Sequence, residues 1–435
     1  MLDIKFIRAN VDAVREAIKN KKVNANLDHL LSLDDKRREL IVKTEDLRNS
    51  RNVIVDKMKN GKDEALISES KKLKESLGQL EVELKEIENA FAVEMQAIPN
   101  VPMPDVPVGA DESENKILEK WGEVPSFKFK PRDHVGIGEV TGTIDIPRAA
   151  KISGTRFGFW TGKMVVLEMA LWLYTMKLLT SEKVIMQLAE KIEKGYSPKP
   201  FIPVLPPVII KPEVYVRNGR MTPQDKEEKY HLDQDDLYLI GSAEHSLVAM
   251  HMDEVIHEKD LPLRYLGYST SFRREAGSYG KDTKGMLRVH QFDKMEMESF
   301  TKPEDSLKEH YLFVAIQEFL MQSLELPYQK VINCTGDMGK PNARQIDIET
   351  WFPSQGRYRE THSADHVTDF QSRGLNTKFK RANGAIEYVH NNDATAFSQR
   401  PLLAIMENCQ LEDGTIVVPK VLRELAGFDA IEPVK

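Results

Sequence analysis

Arg273, Glu275, Phe292 and Glu296 stand in two runs, Ser271-Phe272-Arg273-Arg274-Glu275-Ala276-Gly277 and Arg288-Val289-His290-Gln291-Phe292-Asp293-Lys294-Met295-Glu296-Met297, joined by a Gly-rich stretch with Lys281 and Lys284. The flanks alternate as strands do. An arginine leaving a strand can neutralise an α-phosphate under attack by a carboxylate. A glutamate two residues on can accept from an adenine amino group, and an aromatic on the return strand can stack on the base. Singly, Arg273 and Glu275 could be surface charges and Phe292 a core ring; in this order they point to nucleotide chemistry. Two more polar runs follow. Tyr358-Arg359-Glu360-Thr361-His362-Ser363 precedes Asp369-Phe370-Gln371-Ser372-Arg373, and Asn391–Arg400 precedes an apolar run with Leu402, Leu403, Ile405 and Met406. His362 and His366 suggest zinc at first sight. They lack a cysteine partner or matched ligand spacing, so no zinc is expected.

These residues need a scaffold, and the 435 residues allow about two to four domains. With 41% hydrophobic and 30% charged residues, the chain can bury a large core. Net charge is −7, so any nucleic-acid contact requires a local basic patch. Two cysteines, Cys334 and Cys409, exclude a thiolate cluster and argue against a disulfide framework. Met1–Lys5 lacks a signal peptide's apolar run, and Met164–Leu179 carries Glu168 and Lys177 and is too short to span a bilayer. A cytoplasmic location without membrane contact is expected.

Composition changes near Pro99. Leu33, Leu40, Leu47 and Ile54 recur every seven residues; Leu73, Leu77, Leu80, Leu84, Ile87 and Phe91 alternate in steps of four and three. That pattern is an a/d seam, and Asn60-Gly61-Lys62-Asp63 between the runs is a turn signal. Two antiparallel helices of about 30 residues each would reach roughly 45 Å. Met1–Asn26 should add one or two short helices. From Lys36 to Lys74 there are twelve Lys/Arg and seven Asp/Glu, a local excess of five positive charges. Such a surface can simply be solvated, or it can lie along a phosphate backbone. The expected domains are a helical arm over 1–98 with its hairpin at about 28–98, a Pro-rich linker over 99–125, and a catalytic domain over 126–435.

Phe-Arg-x-Glu-Ala-Gly followed by His-Gln-Phe-x-Lys-x-Glu resembles motif 2 of class II aminoacyl-tRNA synthetases, in the wording of the seryl-tRNA synthetase family. The likeness runs from the arm to about residue 420. It implies an α+β fold, with a two-helix coiled-coil arm joined to a catalytic domain on an antiparallel sheet flanked by helices. It implies serine activation by ATP and transfer to tRNA(Ser), and to tRNA(Sec) where present. Residues 358–373 resemble the family's Tyr-x-Glu-x-Ser-Ser segment, so Glu360 and Ser363 inherit the Mg²⁺ site, a cation that wants few hard protein oxygens. Residues 391–410 resemble motif 3, so Arg400 inherits the γ-phosphate and the adenine face. Arg273 and Arg400 are thus the expected catalytic residues. Arg274, Glu275, Val289, Phe292, Thr361 and His362 join them, with Glu360 and Ser363, around ATP. Pro203–Ile210, with Pro206-Pro207, fits motif 1 and implies a homodimer.

Gly241-Ser242-Ala243-Glu244 aligns with the family's Thr-x-Glu. Ser242, Ala243, Glu244, Arg273, Glu296, Asn392 and Thr395 are the expected serine contacts. The family's serine or threonine six residues before the motif 3 arginine is Ala394 here, so Thr395 is expected to supply the hydroxyl. The Ser-Ser-Cys-Ser-Asn run is altered to His362-Ser363-Ala364-Asp365-His366. Arg37, Arg38, Lys43, Arg48, Arg51 and Lys57 are expected on the tRNA body, and Lys281 and Lys284 at its acceptor end. A ligase loading a carrier protein would lack the arm. A coiled-coil scaffold with a dead domain would not need Arg273, Glu275, Glu360 and Arg400.

Overall fold

The computed structural model describes residues 1–59, 63–221, 223–276 and 285–434, without the side chains of 223–225. The expected turn at Gly61 and the two lysines Lys281 and Lys284 lie outside the described residues. The chain divides into two compact units, Leu2–Pro99 and, with Met1, Asn100–Lys435.

In the first unit, α1 (Ile4–Ala9) and α2 (Val11–Asn20) precede two long helices, α3 (Leu27–Met58) and α4 (Glu64–Ala97). Asn26 accepts from the His29 N–H at 3.0 Å, and Asp63 from the Ala65 N–H at 2.9 Å. Each satisfies a donor that a first turn leaves without an intrahelical acceptor. The 32 residues of α3 span about 48 Å. The pair is antiparallel: Arg37 lies over the Phe91 ring at 4.8 Å, and Arg48, further along α3, meets Glu81, earlier in α4, at 2.8 Å. Leu33, Leu40, Ile54 and Leu77 are buried, and Leu47, Leu73, Leu80, Leu84, Ile87 and Phe91 half-buried, which is the heptad seam.

The second unit is built on eight strands: β1 (Lys116–Trp121), β2 (Ile202–Val204), β3 (Leu263–Phe272), β4 (Gln291–Thr301), β5 (Tyr328–Ile332), β6 (Arg344–Phe352), β7 (Arg357–Thr368) and β8 (His390–Ser398). Their lateral order is β1-β5-β6-β7-β8-β4-β3-β2. Neighbours are antiparallel except β2 with β3. Helices α5 (His134–Thr141), α6 (Lys163–Leu179), α7 (Ser306–Ser323) and α8 (Gln399–Asn408) share one core with alternate strand residues, among them Met295, Met297, Ile348, Ala364 and Ala394. Side chains two apart on a strand share a face, so Glu296, Ser363, Asp393 and Thr395 stand on the opposite, polar face.

Part of the expected linker is structure. Lys116–Trp121 forms the edge strand β1 on β5, and Thr335 N–H donates to the Pro107 carbonyl at 2.9 Å. This strand is exposed along nearly its whole length, so it has no inward-facing apolar set to produce alternation. Among the described residues no single helix is long and apolar enough to cross a membrane; α6 and the helix Glu182–Ile192 pass only as a pair bent by 67°.

Arg264 is fully buried where β3 passes α7. Glu309 meets its Nε at 2.5 Å and its Nη2 at 2.9 Å, Tyr196 donates to the same carboxylate at 2.5 Å, and the Lys199 carbonyl accepts from Nη1 at 2.5 Å. Removing one partner of a buried pair strands the other charge. Glu309→Ala is therefore expected to lower stability by about 3–5 kcal/mol, measured as a shift of the urea midpoint of the second unit. A shift under about 1 kcal/mol would mean that Arg264 finds water or another acceptor.

Candidate active site

β3 and β4 pair in the register Ser271↔Phe292 and Phe272↔Gln291. Beyond Phe272 the Arg273 N–H donates to the His290 carbonyl at 2.9 Å, and His290 Nδ1 donates back to the Arg273 carbonyl at 3.0 Å. Arg273 is thereby fixed at the hairpin mouth. Its Nε donates to the Gly241 carbonyl at 3.1 Å and its guanidinium lies over the Phe292 ring at 5.2 Å. Glu275 is held by Arg288 Nη1 at 2.7 Å.

The hairpin lines a cavity of about 380 Å³ with Arg273, Glu275, Val289 and Phe292. Glu360, Thr361, Ser363 and Arg400 line it also, as do Ser242, Glu244, Glu296 and Thr395. Two β-bulges decide who faces it. Glu360 and Ser363 are three apart, an odd spacing that would put them on opposite faces of a regular strand. The register slips between Ile348 and Glu349, so Thr361 is the extra residue and Glu360 returns to the face of Ser363. On β8 the register slips at Ala396: Met295 faces Phe397 while Glu296 faces Thr395. Thr395 therefore opens onto the cavity beside Glu296, and Ala394 turns into the core.

Four expected contacts are not brought to the cavity. Arg274 lies over Tyr230 at 5.9 Å, and its N–H donates to the Glu228 carbonyl. His362 is fully buried, edge-on to Phe397, and burial pushes its pKa down to about 3. Ala243 packs into a satellite core with Leu247 and Phe300. Asn392 sits on the core face, its amide oxygen 2.9 Å from His366 Nδ1.

The deep end of the cavity is rich in charge. Ser242 Oγ donates to Glu296 at 2.9 Å, Lys294 is ion-paired with the same carboxylate, and burial raises the Glu296 pKa against that pull. Burial would raise Glu244 too. Arg220, at 2.6 Å, outweighs it and holds the pKa at about 2. Arg220 also lies 3.7 Å from Asp365 and from Asp393. Burial lifts the Asp365 pKa to about 6 despite that arginine. At the mouth, Arg400 meets Glu360 at 3.0 Å; burial pushes the Glu360 acid up, but Arg400 pulls it below its ordinary value. Arg273 holds its proton less firmly than usual, from burial and then from Arg400. Two arginines facing one space favour an anion between them.

Arg220, Arg288, Lys294, Asp365 and Asp393 line this cavity although none is among the residues expected there. Lys294 shares the parity of Phe292 and Glu296, Asp365 that of Ser363, and Asp393 that of Thr395, so strand alternation contained the signal. Arg220 follows a short helix, Pro212–Arg217, and no spacing in the sequence ties it to the strands.

On the helical unit the expected tRNA contacts differ in engagement. Arg37 and Arg38 both reach the buried Asp34, at 3.2 and 3.0 Å, as does Arg8 at 2.6 Å. Lys43 pairs with Glu39 at 2.5 Å and Arg48 with Glu81 at 2.8 Å. Arg51 and Lys57 are exposed.

Known proteins bear on both units. Residues 1–102 match the family model of the seryl-tRNA synthetase N-terminal domain, and 228–409 that of the class II tRNA synthetase core domain (G, H, P, S and T). The serine–tRNA ligase of Symbiobacterium thermophilum is 39% identical over 99% of this chain and 100% of its own length. That of Nitrosopumilus maritimus is 39% identical over 98% and 99%. The crystal structure of seryl-tRNA synthetase from Pyrococcus horikoshii complexed with ATP superposes with a TM-score of 0.86, at 36% identity and full coverage of both chains. The fold, the paired arginines at the cavity mouth and these full-length likenesses together place the chain in the seryl-tRNA synthetase family, among the class II aminoacyl-tRNA ligases.

Proposed function

We propose that the cavity activates L-serine with ATP and that the chain then esterifies the 3′ end of tRNA(Ser) with the seryl group. The observation that carries this is one cavity with Arg273 and Arg400 at its mouth and Ser242, Glu296 and Thr395 at its floor. A serine carboxylate oxygen attacks the α-phosphorus of ATP, the bond to the β-phosphate oxygen breaks, and pyrophosphate leaves. Arg273 bears on the α-phosphate and Arg400 on the departing polyphosphate. Phe292 and Glu275 take the adenine, as ring and acceptor. Glu296, already accepting from Ser242, receives the substrate ammonium. In the second step the terminal ribose hydroxyl of the tRNA attacks the acyl carbon and AMP leaves; no protein nucleophile is needed. The ATP in the Pyrococcus horikoshii structure supports the nucleotide assignment.

Magnesium fits the donor set. The bulge at Thr361 puts the Glu360 carboxylate and the Ser363 hydroxyl on one face, and both line the cavity, two hard oxygens of the kind the ion takes from protein. Bound there with ATP, it would neutralise phosphate charge. Glu360→Gln is expected to raise the Mg²⁺ concentration for half-maximal activity about tenfold or more, read by titrating Mg²⁺ after chelation. An unchanged midpoint would remove Glu360 from the site.

A homodimer is supported by the apolar surface around the expected motif 1. Leu205 is 81% exposed and Ile202 and Ile209, at the two ends of the same short stretch, are also exposed, apolar side chains that a partner copy would cover. A cytoplasmic place of work follows from the substrate tRNA. The overall proposal is tested by incubating the full chain with labelled serine, ATP, Mg²⁺ and total tRNA. Label should become acid-precipitable and nuclease-sensitive; label that never reaches RNA would sink it.

A further inference from the structure

Asp393 occupies an unusual place in the floor of the cavity. Its Cα neighbours are Asp365 on β7 and Glu298 on β4, so three carboxylates stand in one row across adjacent strands. Like charges directly opposite one another weaken a sheet. Arg220 lies 3.7 Å from Asp365 and Asp393, but its close bonds go to Glu244, at 2.6 and 2.7 Å. Asp393 is 5% exposed and lines the cavity, and its Oδ1 has no hydrogen-bond partner among the described residues. Leaving a buried carboxylate oxygen without a donor is costly. That oxygen is sealed and faces Arg220 Nη2 at 3.7 Å, but the residue itself lines the cavity, so a row of under-partnered carboxyls stands where a substrate can bring a donor. Ala394, where the family resemblance leads one to expect a hydroxyl, faces the core and can offer nothing.

We propose that Asp393 is a specificity-determining residue of amino-acid activation: its carboxylate accepts the hydrogen bond donated by the side-chain hydroxyl of the substrate. Arg220, 3.7 Å from its Oδ1, positions it. The inference rests on the serine-activation proposal above. It assigns to a carboxylate the contact otherwise expected of Thr395. A pocket built around a substrate hydroxyl rejects the analogue lacking it, because its polar group is then left unpaired.

The test is ATP–pyrophosphate exchange by the full chain with L-serine and with L-alanine, for the wild type, D393N and D393A. A bond made equally in ground and transition states shows in KM. D393A should raise the KM for serine about tenfold or more with a smaller change in kcat, and leave kcat/KM for alanine within about threefold. The serine:alanine ratio should therefore collapse. D393N keeps the volume and one acceptor oxygen and should fall between, which holds the test open if D393A folds poorly. Equal losses for both amino acids would mean that Asp393 binds the ammonium or merely supports the sheet, and would overturn the assignment. So would a wild-type ratio in either folded variant. A wild type without serine-dependent exchange would instead remove the functional proposal itself, so the two failures are distinguishable.

Discussion

Arg273→Ala is expected to lower kcat for adenylate formation about 10²–10³-fold, with a much smaller change in the KM for serine. The size follows from how the side chain is held. Its Nε is spent on the Gly241 carbonyl and its plane rests on Phe292, so the outer edge of the fork is aimed at the cavity without a further loss of freedom on binding. Charge on the α-phosphate grows only as the carboxylate attacks, so an aimed donor acts mainly on kcat. Burial and then the charge of Arg400 weaken the hold of Arg273 on its proton, and the second of these is offset when polyphosphate enters. Arg273→Lys restores the charge without the planar fork and should recover only part of the loss. Single-turnover adenylate formation is the measurement, and a change under about threefold would contradict the assignment.

The second large effect belongs to the helical arm. Replacing Leu27–Ala97 by a short linker should lower kcat/KM for tRNA about 10³-fold or more, because the cations we propose to neutralise tRNA phosphates go with it. Serine-dependent pyrophosphate exchange should stay within about threefold, because the second unit carries its own core and the whole cavity. A finer version keeps the fold intact. Arg37, Arg38, Lys43 and Arg48 are already paired within the arm, whereas Arg51 and Lys57 are exposed. Reversing Arg51 and Lys57 to glutamate should therefore weaken tRNA binding and reduce the slope of log affinity against log salt by about 0.7–0.9 for each phosphate no longer neutralised. An unchanged slope would place the phosphate-binding cations elsewhere on the molecule.

Much of this is legible in the sequence, and the physical reason differs by region. The arm buries little except its a/d positions, so Leu33, Leu40 and Ile54 announce it directly. The hairpin residues Arg273, Glu275, Phe292 and Glu296 are readable because their order is tied to one turn and one strand period. Asn392 and His362 fall on the other face from the one expected. The extra residues at Ala396 and Thr361 shift the parity of β8 and β7, and nothing in local composition marks a bulge. The same bulge at Ala396 turns Thr395 to the cavity and Ala394 to the core. β1 is hidden within the expected linker because an edge strand with both faces exposed carries no alternation. Arg220 comes from outside the strands, and its bond to Glu244 exists only in three dimensions.

The central claim is that this cavity joins serine to ATP. Its most direct test is ATP–pyrophosphate exchange by the full chain with Mg²⁺, run separately with each of the common amino acids and no tRNA. Exchange that depends on serine, exceeds that with alanine or threonine by orders of magnitude, and drops about 10²-fold or more in Arg273→Ala is the predicted result. Exchange that is absent with serine, or stronger with another amino acid, would contradict it.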